Sequence, residues 1–318
     1  MKGFFFDGYT VETIMMFLGL IALLVILNEV SRKNKWVATV FYGVLPLVLG
    51  ILVIAGVTSS PSSKTWFGAL KTYSAVAGVI GFMLIRYIDK IGKSKFAFYF
   101  PVVILVVNIL EAIYREIEVY ANYTVPVVDE AGIYMLGGPW NILNALAGLF
   151  LMLSLTGWMG IKVAKTPSRD MVWADQLWFW IIAYDFWNIA YCYNCISSRA
   201  MYAGVAIIIA CTLCECFCKR GIWLQHRAQT LALFGMFSLA FDYSQFSAFS
   251  IVATYNPDAW LTLGILSFVV NLAVFAYTVS VIVKRKRNPL KQEMFVELKA
   301  YRRNLEANNL LPDNALSE

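Results

Sequence analysis

Residues Phe96–Tyr120 read FAFYFPVVILVVNILEAIYREIEVY, and this stretch decides the fold. It is apolar for longer than the roughly 20 residues a helix needs to cross a hydrocarbon core about 30 Å thick. Yet it carries Asn108, Glu111, Arg115 and Glu116 in its second half. A charge at the centre of a spanning helix costs about 2.5–3.5 kcal/mol on insertion scales. The stretch is therefore expected to be a membrane span with one face turned away from lipid.

Eight more stretches have the same character: Val11–Val30, Trp36–Val57, Trp66–Ile88, Pro139–Ile161, Val172–Asn194, Ala200–Cys218, Ala228–Ala253 and Trp260–Val283. Together they predict an all-α polytopic membrane protein of about nine transmembrane helices. Composition agrees, since 60% of the 318 residues are hydrophobic and 14% are charged, against about 25% charged in a soluble domain. Of the 26 Lys and Arg, 21 fall on one side of these spans. They lie in Arg32–Lys35, Arg86–Lys95, Lys162–Arg169, Lys219–Arg227 and Lys284–Arg303. The positive-inside rule then predicts an N-terminus outside, a C-terminus in the cytoplasm, and residence in the cytoplasmic (plasma) membrane. The net charge of +6 follows from this topology and implies no nucleic-acid partner. Met1–Thr10 lacks a small-residue cleavage site, so the first run is expected to stay as a helix.

The chain divides into a single transmembrane domain, 1–283, and a basic amphipathic tail, 284–318. In the tail, Leu290, Met294, Leu298, Tyr301 and Leu305 recur at helical spacing opposite Lys291, Glu293, Lys299, Arg302 and Arg303. That pattern predicts a helix lying on the anionic inner leaflet. Between the fourth and fifth spans, Thr124–Val128 and Ile133–Leu136 read as strands around an Asp129–Gly132 turn, a hairpin placed to act as a lid. Gly68, Ala69, Ser74, Ala75, Ala77, Gly78 and Gly81 give the third span a small-residue face. Close packing within the subunit is expected there, with a homo-oligomer seam as the alternative.

The residues lipid should exclude share one depth. At about 1.5 Å per residue, Lys71, Glu111, Asn144, Asp185 and Asp242 all come to roughly 8–10 Å below the outer boundary. Asn188 and Arg115 lie about one turn further out. Asn108, Glu111 and Arg115 share one helix face, and Asp185 and Asn188 share another. These faces are expected to surround a hydrated cavity open to the outside. Glu111, Asp185 and Asp242 would bind a cationic group or a proton, Lys71 and Arg115 would balance charge, and Asn108, Asn144 and Asn188 would supply neutral hydrogen bonds. Tyr184, Trp187 and Tyr191 would offer ring faces.

The six cysteines fall into an outer pair, Cys192 and Cys195, and an inner group, Cys211, Cys214, Cys216 and Cys218. A C-x-x-C at a helix end suits a thiol–disulfide relay, although no second redox pair lies on that side. The inner group does not share one helix face, so a closed metal site is not expected, and no cofactor is indicated. His226 is the only histidine, which excludes bis-histidine haem sites. The expected function is a permease or channel-like transporter for a small cationic or zwitterionic solute. A thiol–disulfide oxidoreductase using Cys192 and Cys195, or a membrane sensor, are the alternatives.

Overall fold

The computed structural model describes residues 3–58, 60–64, 66–129 and 132–311. The predicted spans appear as helices α1 (Val11–Lys33), α2 (Lys35–Ile54), α3 (Trp66–Tyr87), α4 (Tyr99–Asn122), α5 (Pro139–Leu153), α6 (Trp178–Cys195), α7 (Met201–Cys218), α8 (Trp223–Ala240) and α9 (Pro257–Arg285). The tail adds α10 (Lys299–Glu306). Six of these, α1 to α4, α7 and α9, are long and apolar enough to cross a membrane. The chain is an all-α integral membrane protein.

The other three helices explain the architecture. With fifteen residues, α5 is short, while α6 and α8 carry polar residues in their interiors. Along α6 these are Asp185, Asn188 and Asn194; along α8 they are Gln225, His226, Arg227 and Gln229. A helix that polar is stable in a bilayer only when other helices shield it. That is its position: from Ala183 to Cys195 most of α6 is buried, as are Trp223 to Arg227 of α8. Around them, α9 packs on α5 and α6, α3 on α8, α4 on α5, and α7 on α8 and α1. Gly148 permits the close approach of α5 to α6, because a Cβ there would sit 2.7 Å from Trp187 Nε1. The small face of α3 is used inside the subunit: Gly78 and Gly81 lie against Ile104 and Phe100 of α4, and Thr72 against Gly235 of α8.

Three helices differ from expectation, one of them α6, which starts at Trp178 where Val172 was predicted because Met171–Val172 is a strand. α5 stops at Leu153 instead of running to Ile161. Gly157 then takes a left-handed turn (φ 67°) against Asp175, and the chain forms a small two-stranded sheet before α6. α8 begins at Trp223 and ends at Ala240, where Ala228–Ala253 was predicted. The shift places Arg227 inside the bundle and Asp242 outside the helix.

Short antiparallel pairs tie down the ends. β1 (Phe6–Asp7) pairs with residues Val252–Ala253 on the same face as the predicted hairpin, which forms as β2 (Val127–Val128) and β3 (Tyr134–Met135). The predicted turn residues Glu130 and Ala131 lie outside the described residues. The hairpin is anchored by Ser197 Oγ, which donates to the Tyr134 carbonyl at 2.5 Å, and by Tyr134 stacking on Trp260.

The opposite, tail face is held by two buried acids. Asp170 accepts from Arg32 Nη1 at 2.8 Å and Gln225 Nε2 at 2.9 Å, with Arg86 Nη2 3.5 Å away. Burial pushes the Asp170 carboxyl up, but Arg86, Arg32 and the Ser168 and Gln225 hydrogen bonds outweigh it and hold it below the usual carboxylate range. Asp175 accepts from Thr156 Oγ1 (2.7 Å) and from the backbone N–H groups of Met294 (2.9 Å) and Phe295 (2.8 Å). Through Asp175 the tail is drawn onto the protein. Met294, Phe295, Tyr301 and Leu305 are buried against Ala164, Val172 and Ile222, while Leu290 is exposed. The helical spacing read from 290 to 305 is realised only in α10, and its apolar face packs on the protein's own loops.

Candidate functional site

A cavity of about 140 Å³ runs between α3, α4, α6, α7 and α8 beneath the hairpin. Its long wall is one face of α8: Arg227, Leu231, Phe234, Gly235 and Ser238. At 1.5 Å per residue that face runs about 16 Å from the helix's first turns to near its end at the hairpin side. Ser62, Ile133, Ile196 and Arg199 line the hairpin end, and Arg227 lies at the other. The volume is well under the 300–1,000 Å³ typical of sites for drug-sized ligands, so only a small solute fits.

Six candidate site residues from the sequence line this cavity: Lys71, Asn108, Trp187, Asn188, Tyr191 and Cys192. Tyr184 sits at its inner end, where its hydroxyl accepts from Arg227 Nε at 3.3 Å. Glu111 stands behind Lys71, whose Nζ lies 2.9 Å from Glu111 Oε2 and donates to the Asn108 carbonyl at 3.2 Å. The Lys71 ammonium also lies 5.9 Å from the Tyr191 ring centre.

The remaining predicted residues do not meet there. Asn144 belongs to a separate cage around Glu116, which is wholly buried. Glu116 accepts from Asn141 Nδ2 and Asn144 Nδ2 at 2.6 Å each, and Asn194 Nδ2 reaches both its oxygens at 3.1 and 3.3 Å. Ser267 of α9 donates to Asn144 Oδ1 at 2.6 Å and completes it. Among the described residues the cage gives Glu116 neutral donors only. Arg115 turns to Glu118, 2.6 Å away. Asp185 follows Tyr184 directly and so points about 100° around the helix from it. Its Oδ2 accepts from Thr212 of α7 at 2.8 Å, away from the cavity. Asp242 lies two residues beyond the end of α8, exposed, where it caps a turn by accepting from Ser244 and Gln245. The expected single layer is split into separate arrangements, and of these only the group around Lys71 lines the cavity.

That correction changes the sign of the site. The cavity's charged lining among the described residues is Lys71, Arg199 and Arg227, with no carboxylate. Lys71 is neutralised by Glu111, and Arg199 donates to Ser62 Oγ. Arg227 differs from both. It is 6% exposed, forms no ion pair among the described residues, and its Nη1 has no hydrogen-bond partner. Its guanidinium carbon lies 5.7 Å from the Tyr184 ring centre. The positive-inside reading had counted Arg227 among the loop residues. The signal that marks it is the spacing of Arg227, Leu231, Phe234 and Ser238, which extends the face of α8 to one residue before the predicted start at Ala228.

Residues 7–307 match a protein family described as "Family of unknown function (DUF5692)". The chain belongs to that family. No curated protein and no solved structure matches it. The matched span takes in every residue of the cavity and the tail up to Ala307.

The cysteines are all free. Cys192 lines the cavity, with its Sγ 3.8 Å from Asn188 Oδ1, and Cys195 is buried one turn on. No group of three or more His, Cys, Asp or Glu side chains is placed to hold a metal among the described residues. His226 is structural in position: its ring bridges Asn28 Nδ2 (2.8 Å) and the Lys219 carbonyl (3.0 Å).

Proposed function

We propose that this protein is a permease of the cytoplasmic membrane that takes a small solute into the cavity and holds an acid group of that solute on Arg227. The supporting observation is the buried, unpaired guanidinium at the closed end of the cavity. Removing a charge from water without a partner costs several kcal/mol, and a buried ionisable group facing a cavity in a membrane protein is a functional candidate by default. A carboxylate or similar anion is the complement a planar guanidinium takes best. Trp187 and Tyr191 offer ring faces to the rest of the ligand. A zwitterion remains within this reading, whereas a simple cation would meet the unpaired Arg227 with nothing to balance it. The basic loops of the tail face support a cytoplasmic orientation for it, which opens the cavity to the outside.

The test is ligand-dependent stabilisation of protein in lipid nanodiscs, screened with small carboxylates, zwitterionic amino acids and quaternary ammonium ions. Carboxylates or zwitterions should raise the unfolding temperature of the wild type and leave Arg227→Gln unmoved. Stabilisation by ammonium ions alone, or undiminished stabilisation of Arg227→Gln, would sink the reading.

A further inference from the structure

Nearer the tail face than the cavity, a crevice runs between α6 and α7 and is closed at the tail face by α10. Its walls are apolar where they meet the bilayer: Ile181 lies inside, and Trp178 and Ile182 are 63% and 40% exposed. Thr212 marks its upper end. At the tail-face mouth the chemistry changes. Arg220 and Arg303 are both exposed there, and neither forms an ion pair among the described residues. The crevice's one carboxylate, Glu215, is committed to the backbone N–H groups of Gly221 (2.5 Å) and Ile222 (3.1 Å) and acts on Arg220 only at longer range, so the mouth keeps a net positive charge. Between them and the apolar wall sits Gln176, 4% exposed, whose amide nitrogen and oxygen both lack a hydrogen-bond partner.

An apolar trough open to lipid, ending in two exposed cations and a buried unsatisfied amide, has the polarity of a single phospholipid. We propose that this crevice binds a phospholipid with an anionic headgroup. One acyl chain lies along Ile181 and Ile182 toward Thr212, the phosphate meets Arg220 and Arg303, and the Gln176 amide takes a headgroup oxygen or hydroxyl. A water-soluble phosphate would use only the mouth and leave the trough to bulk lipid. Because Arg303 and Ala300 belong to α10, the bound lipid also bridges the tail to the bundle.

Native mass spectrometry of the full chain in detergent tests this, with added phosphatidylglycerol, phosphatidylcholine or glycerol phosphate. Phosphatidylglycerol adducts should survive delipidation and phosphatidylcholine adducts should not. At about 1 kcal/mol per surface cation, the Arg220→Gln/Arg303→Gln pair should retain roughly thirtyfold less of it. Ile182→Trp, which fills the trough and leaves both arginines in place, should expel the lipid as well. Arg227→Gln should leave retention unchanged, since Arg227 does not line the crevice. Equal retention of the two lipids, adducts undiminished in either crevice variant, or displacement by glycerol phosphate would overturn the proposal.

Discussion

The guanidinium of Arg227 lies over the ring of Tyr184, 5.7 Å from its centre, while its Nε donates to the hydroxyl of the same residue at 3.3 Å. One aromatic residue thus orients the cation and takes one of its donors, and Nη1 is left without a partner. Arg227→Gln should weaken the binding of an acidic ligand by about ten- to a hundredfold, the worth of a charge-assisted hydrogen bond of roughly 1.5–3 kcal/mol. Tyr184→Phe should cost less, because it keeps the ring and loses only the acceptor. Calorimetric titration of both variants with one stabilising ligand checks the order; an equal loss in the two would mean that the Tyr184 hydroxyl contributes as much to affinity as the charge.

Glu116 separates charge from shape. Glu116→Gln preserves the volume and still offers an acceptor to the three asparagines, so it should cost under about 1.5 kcal/mol. Glu116→Leu leaves buried amide groups of Asn141, Asn144 and Asn194 without their acceptor, and should cost about 3–9 kcal/mol at 1–3 kcal/mol each. Chemical denaturation in micelles distinguishes them. If Gln is as damaging as Leu, the cage requires the ionised carboxylate.

Asp170 supplies a pH dependence whose sign follows from its partners. Its carboxyl is held below the usual range in the folded protein, so its contribution is complete above an ordinary aspartate value of about 3.9. It is lost as pH falls through the lower, folded value. Asp170→Asn should remove this acid-limb loss and, at neutral pH, destabilise the protein by about 3–5 kcal/mol by stranding buried Arg86, while Arg32 keeps its pair with Glu29. Unfolding temperatures of wild type and variant across pH 2–7 should therefore converge toward the acid end. Parallel curves would show that Asp170 does not titrate with folding.

Orientation is checked with single exposed thiols. Cys216 and Cys218 are exposed in the wild type, so both should first be replaced by Ser. In that background a membrane-impermeant maleimide applied to intact cells should label Lys64→Cys, at the hairpin face, and spare Lys165→Cys, at the tail face. The reverse pattern would place the cavity mouth in the cytoplasm.

The sequence by itself determined that this chain lives in lipid, and it marked where the helices run. Apolar length is a local property, and nothing else stabilises Val11–Lys33 or Pro257–Arg285 as well as a bilayer does. It also showed the hairpin, because alternation and turn residues are local too. It identified Lys71, Asn108, Trp187, Asn188 and Tyr191 as residues that lipid should exclude, and these line one cavity. What depth along a helix does not contain is azimuth. Glu111, Glu116, Asn144 and Asp185 stand at similar heights, yet they face a lysine, an amide cage and a threonine, because each helix is rotated by its packing on particular neighbours. The end of a helix is equally non-local: Ala240 ends α8 two residues short of Asp242, and Trp223 begins it early enough to carry Arg227 into the bundle. Only the tertiary structure decided these, since a polar residue in a membrane is stable wherever other helices cover it, and the covering helices lie far away in sequence.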